Sequence, residues 1–465
     1  MFTKTHAARE EFPVTTTLPA LAAELQTLFT TTAAEAAKTS PFVRRRRLLD
    51  GPSFVQGLVF GWLDDPHASL EGLARATADA GATLSPQGLD QRFTRTAAEC
   101  LRLVLTAAVK RVIGSEPRST SLLQRFRGVY LLDSTTIPLP AALADVWRGC
   151  GGSTTGAGRA ALKVQVRWEV VSGTLDGISL SAGRESDARA ELARTPLPAG
   201  ALRVADLGYF DLDVLAGYGR AGVFWLTRVA PGTRVVVDER RWELSAYLTH
   251  TGQDRVDRMV QLGAEEQLSC RLVAVRVPES VADRRRTQVR RKAGKSGHRL
   301  SAERLALCAW TVVVTNVPAP AVAASGTNVR APQATADEVL VLLRVRWQLE
   351  LLFKSWKSSG VGLDASVSGK TWRVLCEVYA KLLGAVVRQW VVAVSGAGGP
   401  CVSVIRAGRA VQRCVRQLGY VLSCPTRVVD ALVHIRQVLG RLKPVNKRKK
   451  RPATHQTLAW PTTSA

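Results

Sequence analysis

The chain has 465 residues and a formal net charge of +26, from 64 Lys and Arg against 38 Asp and Glu. Its 46% apolar and 22% charged content excludes a disordered or fibrous chain, and its length allows roughly three domains. So large a cationic excess argues for a polyanionic partner, nucleic acid first, and says nothing about the fold.

Eight cysteines without a C-x-x-C pair, and only six scattered histidines, argue against a structural zinc site or a disulfide framework. The opening MFTKTHAAREEF lacks the apolar core of a signal peptide, and the reading is a cytoplasmic protein. The most apolar helical stretch, about 374–395, carries Glu377, Lys381 and Arg388. It reads as a buried helix, with no membrane partner.

Residues 17 to about 115 show apolar residues at three- and four-residue steps, predicting helices in LPALAAELQTLF, SFVQGLVFGWL, SLEGLARATADAG and DQRFTRTAAECLRLVLTAAVKRVI. Ser69 caps the third, which ends near Gly81; Ser85-Pro86 opens the next with a cap and a first-turn proline. Two readings stand here: a helix-turn-helix offering Gln87, Gln91, Arg92 and Arg95 to a DNA groove, or a plain helical bundle.

From 128 the period changes to that of strands: GVYLLDSTTIPL, ALKVQVRWEVVSGTLDGISLS with a hairpin turn at Ser172-Gly173, ALRVADLGYF and GVFWLTRVA. Further strand-like pieces fill 234–278. Next comes a basic stretch, 281–300, with eight Lys or Arg and one acid, Asp283. Its glycines and missing apolar period predict a loop laid along a phosphate backbone through Arg284, Arg285, Arg286, Arg290 and Arg291. Its AGKSG is no Walker loop, because Val289 stands where the first glycine belongs. Two other basic runs lie at 44–47 and 443–451, the second in a tail expected to be disordered. The strand AWTVVVTNVP follows, then a helix over about 335–357, then helices over 372–395, 402–418 and 425–441. Strands interrupted and followed by helices indicate an α/β core with helical flanks.

Against this basic background, carboxylates inside apolar strands stand out. Asp133 ends Val129-Tyr130-Leu131-Leu132, and Asp206 ends Leu202-Arg203-Val204-Ala205. Each sits where open α/β sheets place reactive groups, although an aspartate closing a strand is commonly a turn former. On the helix LLRVRWQLELLFKSWKS, Arg346, Glu350, Phe353 and Lys357 fall on one face. Alone that face is a salt-bridge ladder. Three carboxylates brought together need cations, and hard oxygen ligands suit Mg²⁺ or Mn²⁺. Two such ions roughly 4 Å apart activate a water or a 3′-hydroxyl for in-line phosphoryl transfer. Arg346 and Lys357 then hold phosphates. Asp187 is the rival third carboxylate.

At these residues the sequence resembles the bacterial insertion-sequence DDE transposases, specifically the cut-and-paste group with a β-rich insertion. The matching segments are LLDSTTIPLP, VADLGYF (Asp206, Gly208, Tyr209) and LRVRWQLELLFKSWK. The last carries Arg346, Glu350 and Lys357 of a Tyr-x2-Arg-x3-Glu-x6-Lys signature, with Leu343 at the tyrosine position. The resemblance spans about 60–395. It implies an RNase H-like catalytic core interrupted by a β-rich insertion, consistent with 73 positions from Asp133 to Asp206 but 144 from Asp206 to Glu350. The domain organisation expected is a helical DNA-binding domain at 1–125, core at 126–230, insertion at 231–305, core at 306–372, a helical domain at 373–441 and the tail at 442–465.

The resemblance further implies two Mg²⁺ or Mn²⁺ ions held by Asp133, Asp206 and Glu350. It implies double-stranded DNA partners (terminal inverted repeats and target), a homodimer in the synaptic complex, and nucleoid association when bound to DNA. Relatives use a hairpin intermediate with an aromatic residue receiving a flipped base, for which Trp225, Trp242 and Trp310 are open choices. The activity expected is cleavage at element ends and transfer of the 3′-hydroxyl to target DNA. The alternatives are a DNA-binding regulator that no longer cuts, or a metal-dependent nuclease without strand transfer.

Overall fold

The computed structural model describes residues 16–43, 49–111, 113, 121–150, 159–265, 267–296, 299–320, 332–358, 361–363, 368–395, 402–422 and 424–443. The arginine run at 44–47 and the tail from 444 onward lie outside the described residues.

In chain order the first helices are α1 (Leu18–Thr27), α2 (Ala33–Thr39), α3 (Gly51–Asp64), α4 (Leu70–Asp79), α5 (Pro86–Asp90), α6 (Arg95–Val109) and α7 (Ser121–Gln124). Next come β1 (Val129–Leu139), β2 (Ala160–Glu169), β3 (Thr174–Ala182), α8 (Glu191–Arg194), β4 (Leu202–Ala205), α9 (Leu212–Arg220), β5 (Phe224–Thr227), β6 (Arg234–Val237) and β7 (Arg240–Glu243). These are followed by α10 (Leu244–His250), β8 (Arg255–Leu262), β9 (Leu268–Arg276), α11 (Glu279–Ser296), α12 (Ala302–Ala306) and β10 (Trp310–Thr315). The chain continues with α13 (Ala336–Val345), α14 (Trp347–Ser358), α15 (Thr371–Val394), α16 (Val404–Val421) and α17 (Pro425–Gly440). They gather into two compact units. One takes the described residues up to 113, the 171–176 turn and the chain from 352; the other takes 121–170 and 177–351.

The first unit is helical, and its helix starts are written in side chains. Asp50, Ser69, Ser85 and Thr94 each accept a backbone N–H from the first turn they open, and Pro52 and Pro86 fill first-turn positions. The Thr94 cap divides the single helix expected to open at Ser85-Pro86 into the short α5 and the long α6. Gln87 therefore lies on α5, Gln91 and Arg92 in the turn, and Arg95 at the start of α6, all four exposed. A recognition helix in the helix-turn-helix sense is thus only five residues long here. At the centre, α15 is buried over nearly its whole length and packs against α3, α6 and α16. The N-terminal and C-terminal helices, assigned by sequence to opposite ends at 1–125 and 373–441, share this core. Among the described residues no helix is long and apolar enough to cross a membrane.

The second unit is a mixed α/β body built on one ten-stranded sheet, in the order β3-β2-β1-β4-β5-β10-β9-β8-β6-β7. β1, β4 and β5 run parallel; β2 is antiparallel to β1, and β10 to β5. The strands of 231–305 continue that sheet, because β9 pairs with β10 from Trp310↔Arg276 to Thr315↔Arg271. Asn316 extends the seam between β10 and β5 with its side chain: its Oδ1 accepts from Trp225 N at 2.7 Å and its Nδ2 donates to Val223 O at 3.0 Å.

Two expectations change here. The basic stretch is the helix α11, not a loop. Arg286 pairs with Glu279 and Asp283 on its own helix, and Arg285 turns inward to Trp310 O and Thr311 Oγ1, while Ala282 and Ala293 supply the buried anchor points. A helix can be held by such ties without an apolar stripe. The helix expected over 335–357 is interrupted at Arg346, where Leu349 N reaches back only three residues, to Arg346 O at 2.9 Å.

Candidate active site

β1 continues to Leu139, so Asp133 is a mid-strand residue opposite Val166 of β2, not a strand end. What ends beside it is the parallel ladder to β4, whose last pair is Leu132↔Ala205. Asp133 and Asp206 are the next residues on these two strands, so register alone brings them side by side. Asp206 then opens a 3-10 turn, Leu207–Tyr209, that buries Tyr209. A Cβ on Gly208 would stand 2.8 Å from Asp187 Oδ2, so this turn has little room for a larger residue. Glu350 lies in the first turn of α14, directly after the interruption at Arg346.

Arg346 stands at the centre of the site. The Arg346 guanidinium donates to Asp133 Oδ2 at 2.5 Å and to Glu350 Oε1 at 2.8 Å, and stands 3.7 Å from Asp206 Oδ1. Three acids separated by 73 and 144 positions thus converge on one cation. The Asp133 and Arg346 side chains are 13% exposed, whereas those of Asp206 and Glu350 are 39% and 34% exposed. The cluster is closed at its floor and open to solvent at its rim. Burial raises the Asp133 carboxyl to about 6, against the pull of Arg346 and the Ser134 amide, with a further push from Asp206 and Glu350. Burial works to lower the pKa of Arg346, but the three carboxylates outweigh it and hold the guanidinium above its ordinary value.

Asp187, the rival third acid, is engaged elsewhere: Lys163 sits 3.0 Å from its Oδ1 and Gln165 approaches the same oxygen. Lys357 lies on α14 beyond Leu351, in the helical unit. Leu343 is buried on α13, a packing residue where the signature has a phenol. On α11, Arg284, Arg290 and Arg291 are exposed, whereas Arg285 and Arg286 make the ties given above. Trp225 and Trp310 are buried in the sheet's apolar core. Trp242 is stacked on His250 at 4.6 Å, with the Arg240 guanidinium 4.1 Å from its ring centre. Sequence reading passed over Asn316 and the carboxylate-binding role of Arg346. The pairing of Arg346 with Glu350 was visible as an i, i+4 spacing, but its reach to Asp133 depends on the fold.

A family model described as the transposase DDE domain matches residues 124–386, a stretch that contains all three acids. The chain belongs to this family. The transposase for insertion sequence element IS231F of Bacillus thuringiensis subsp. israelensis is 28% identical over 375 residues, covering 75% of this chain and 74% of that protein. The IS231B transposase of Bacillus thuringiensis subsp. berliner is 26% identical over the same length. The IS1151 transposase of Clostridium perfringens is 23% identical over 374 residues, or 75% of each chain. Among solved structures, a piggyBac transposase synaptic complex with hairpin DNA aligns over 96% of this chain and 88% of its own, with a TM-score of 0.45 and 8% identity.

DDE transposases use divalent metal ions. Among the described residues no ready-made group of three metal-binding side chains is present, since the carboxylates close on Arg346. The donor chemistry nevertheless fits a hard cation. The acids are oxygen donors, and with all three ionised they exceed the single guanidinium by two negative charges.

Proposed function

We propose that this protein is an insertion-sequence transposase that cuts phosphodiesters at element ends and joins the freed 3′-hydroxyls to target DNA, on an RNase H-like core. The observation that carries the reading is the convergence of Asp133, Asp206 and Glu350 on one guanidinium. Two divalent ions bound by these carboxylates would activate the attacking oxygen and stabilise the leaving one. Asp133 sets the buried floor of the site, while Asp206 and Glu350 face the open rim from which a DNA strand approaches. The Arg346 guanidinium, released from carboxylates, offers the same planar fork to a phosphate. Lys357 is assigned to the same task, and the exposed α11 arginines Arg284, Arg290 and Arg291 to backbone affinity.

The test is an assay of the purified chain with a duplex bearing the element's terminal repeat and a supercoiled target, in Mg²⁺ or Mn²⁺ and in EDTA. Metal-dependent cleavage with joined products is the expected result. Binding without any cut would identify a regulator, and cutting without joined products a nuclease.

A further inference from the structure

α16 has two sharply different sides. Its buried side, with Ala407, Ala410, Val411, Val415 and Leu418, packs on α3, α15 and α17. Gly408 and Gly419 let it settle closely: a Cβ would stand 3.1 Å from Arg388 at the first and 3.2 Å from Phe60 at the second. The other side exposes Arg406, Arg409, Arg413 and Arg416. At 100° per residue these four fall within an arc of about 80°.

A solvated face is the ordinary explanation of helical charge, and such faces usually alternate sign. This one does not, for α16 contains no acidic residue. Arg416 is shared with Asp64 at 2.5 Å, and beyond it Tyr420 donates to Asp79 at 3.0 Å, so the acids begin where the stripe ends. Among the described residues Arg406, Arg409 and Arg413 form no ion pair. Like charges at three- and four-residue steps cost an isolated helix a few tenths of a kcal/mol per pair, a cost an external anion removes.

We infer that the Arg406-Arg409-Arg413 stripe of α16, in the helical unit, is a contact for the DNA backbone. This rests on the reading of DNA as substrate. The three arginines span about 10 Å of helix axis, along which a duplex presents about six phosphate charges. A second copy of the chain does not fit, since a two-fold contact through this stripe would oppose one arginine row to another. An acidic protein would find a small apolar anchor there: among the described residues the exposed aromatic on that face of α16 is Tyr420, past the end of the stripe with its hydroxyl bonded to Asp79, less than a stable protein interface needs.

The experiment measures affinity of the full chain for a random-sequence duplex against salt concentration, by fluorescence anisotropy in EDTA. Without metal the readout is independent of cleavage. Arg406→Gln/Arg409→Gln/Arg413→Gln should reduce the slope of log affinity against log salt by about 2.7, at about 0.9 per phosphate contact. Arg416→Gln should reduce it by much less, because Asp64 already shares that charge. Arg409→Gln alone should remove about 0.9 and serves if the triple variant folds poorly. An unchanged slope in folded variants overturns the inference. So does a dimer that the triple variant dissociates in sedimentation while its slope stays put. A lowered slope in a chain that never cleaves DNA would leave this surface standing and remove the transposase reading.

Discussion

Each unit holds a cluster of buried charge, and the two are built differently. In the helical unit, Lys381 bonds Glu377 Oε1 at 2.6 Å and the Gly362 carbonyl at 2.9 Å, with both side chains nearly sealed from solvent. The Lys381 ammonium meets the Glu377 carboxylate and gains a carbonyl as well. In the sheet unit, one guanidinium faces three carboxylates, two of them a third or more exposed. A sealed pair of opposite charges serves to fix α15 in place. An unbalanced cluster open on one side keeps a capacity for further cation, which is what phosphoryl-transfer chemistry requires. Burial of charge by itself distinguishes nothing; the local charge sum and the open rim do.

Breaking each cluster should therefore give opposite phenotypes. Glu350→Gln should lower metal-dependent cleavage on the order of 10³-fold, as expected when several kcal/mol of transition-state stabilisation is lost. Its melting temperature without metal should hold or rise, since one repelling charge is gone; a clear loss of stability would assign Glu350 a structural role. Lys381→Met should instead cost about 3–5 kcal/mol in denaturant unfolding by removing the ammonium from beside the buried Glu377 carboxylate. Pairing it with Glu377→Leu should recover most of that cost, and failure to recover would mean the pair is not a closed unit.

The next test uses pH. Folding raises the Asp133 carboxyl from 3.8 to about 6, so between these values the folded chain binds more protons than the unfolded one. Stability from this group is therefore largest at low pH and declines as pH rises through 4 to 6, on the order of 3 kcal/mol. Cation binding runs the other way, because protonation of Asp133 removes a ligand charge, and Mn²⁺ affinity should fall as pH drops below about 6. Comparing the unfolding profiles of the wild type and Asp133→Asn isolates this group; parallel profiles would remove Asp133 as the titrating acid. The smallest effect is a neutral control, Asn316→Ala, which strands Trp225 N and Val223 O and should cost about 1–2 kcal/mol with no change in pH profile.

Sequence patterning made the local pieces legible and left their assembly unread. Apolar runs closing in Asp133 and Asp206 marked β1 and β4, and Ser69 and Ser85 marked helix starts, because these signals act within a few residues. The strand reading of GVYLLDSTTIPL already carried β1 through Ser134-Thr135-Thr136, but the apolar run ending at Leu132 made Asp133 look like a strand end, whereas the β2 ladder continues past it. α11 was missed because basic ties and two alanines hold it where an apolar stripe was sought. The interruption at Arg346 left no mark, as its backbone angles stay in the helical region. Family resemblance, not spacing, joined the three acids. The register of β1 with β4 accounts for two of them, and the Arg346 contacts for the third.

The Ser172-Gly173 turn carries a practical consequence for anyone dissecting the molecule. It belongs to the helical unit, where Gln389 Nε2 donates to the Gly173 carbonyl and Thr174 Oγ1 to that of Ile113, although the strands on either side of it belong to the sheet. The polypeptide passes from one unit to the other between 113 and 121 and near 170, 176 and 351, so neither is a contiguous fragment. Expressing 124–386 alone would sever α15 from α3, α6 and α16 and expose its apolar length, a recipe for aggregation rather than a minimal catalytic domain.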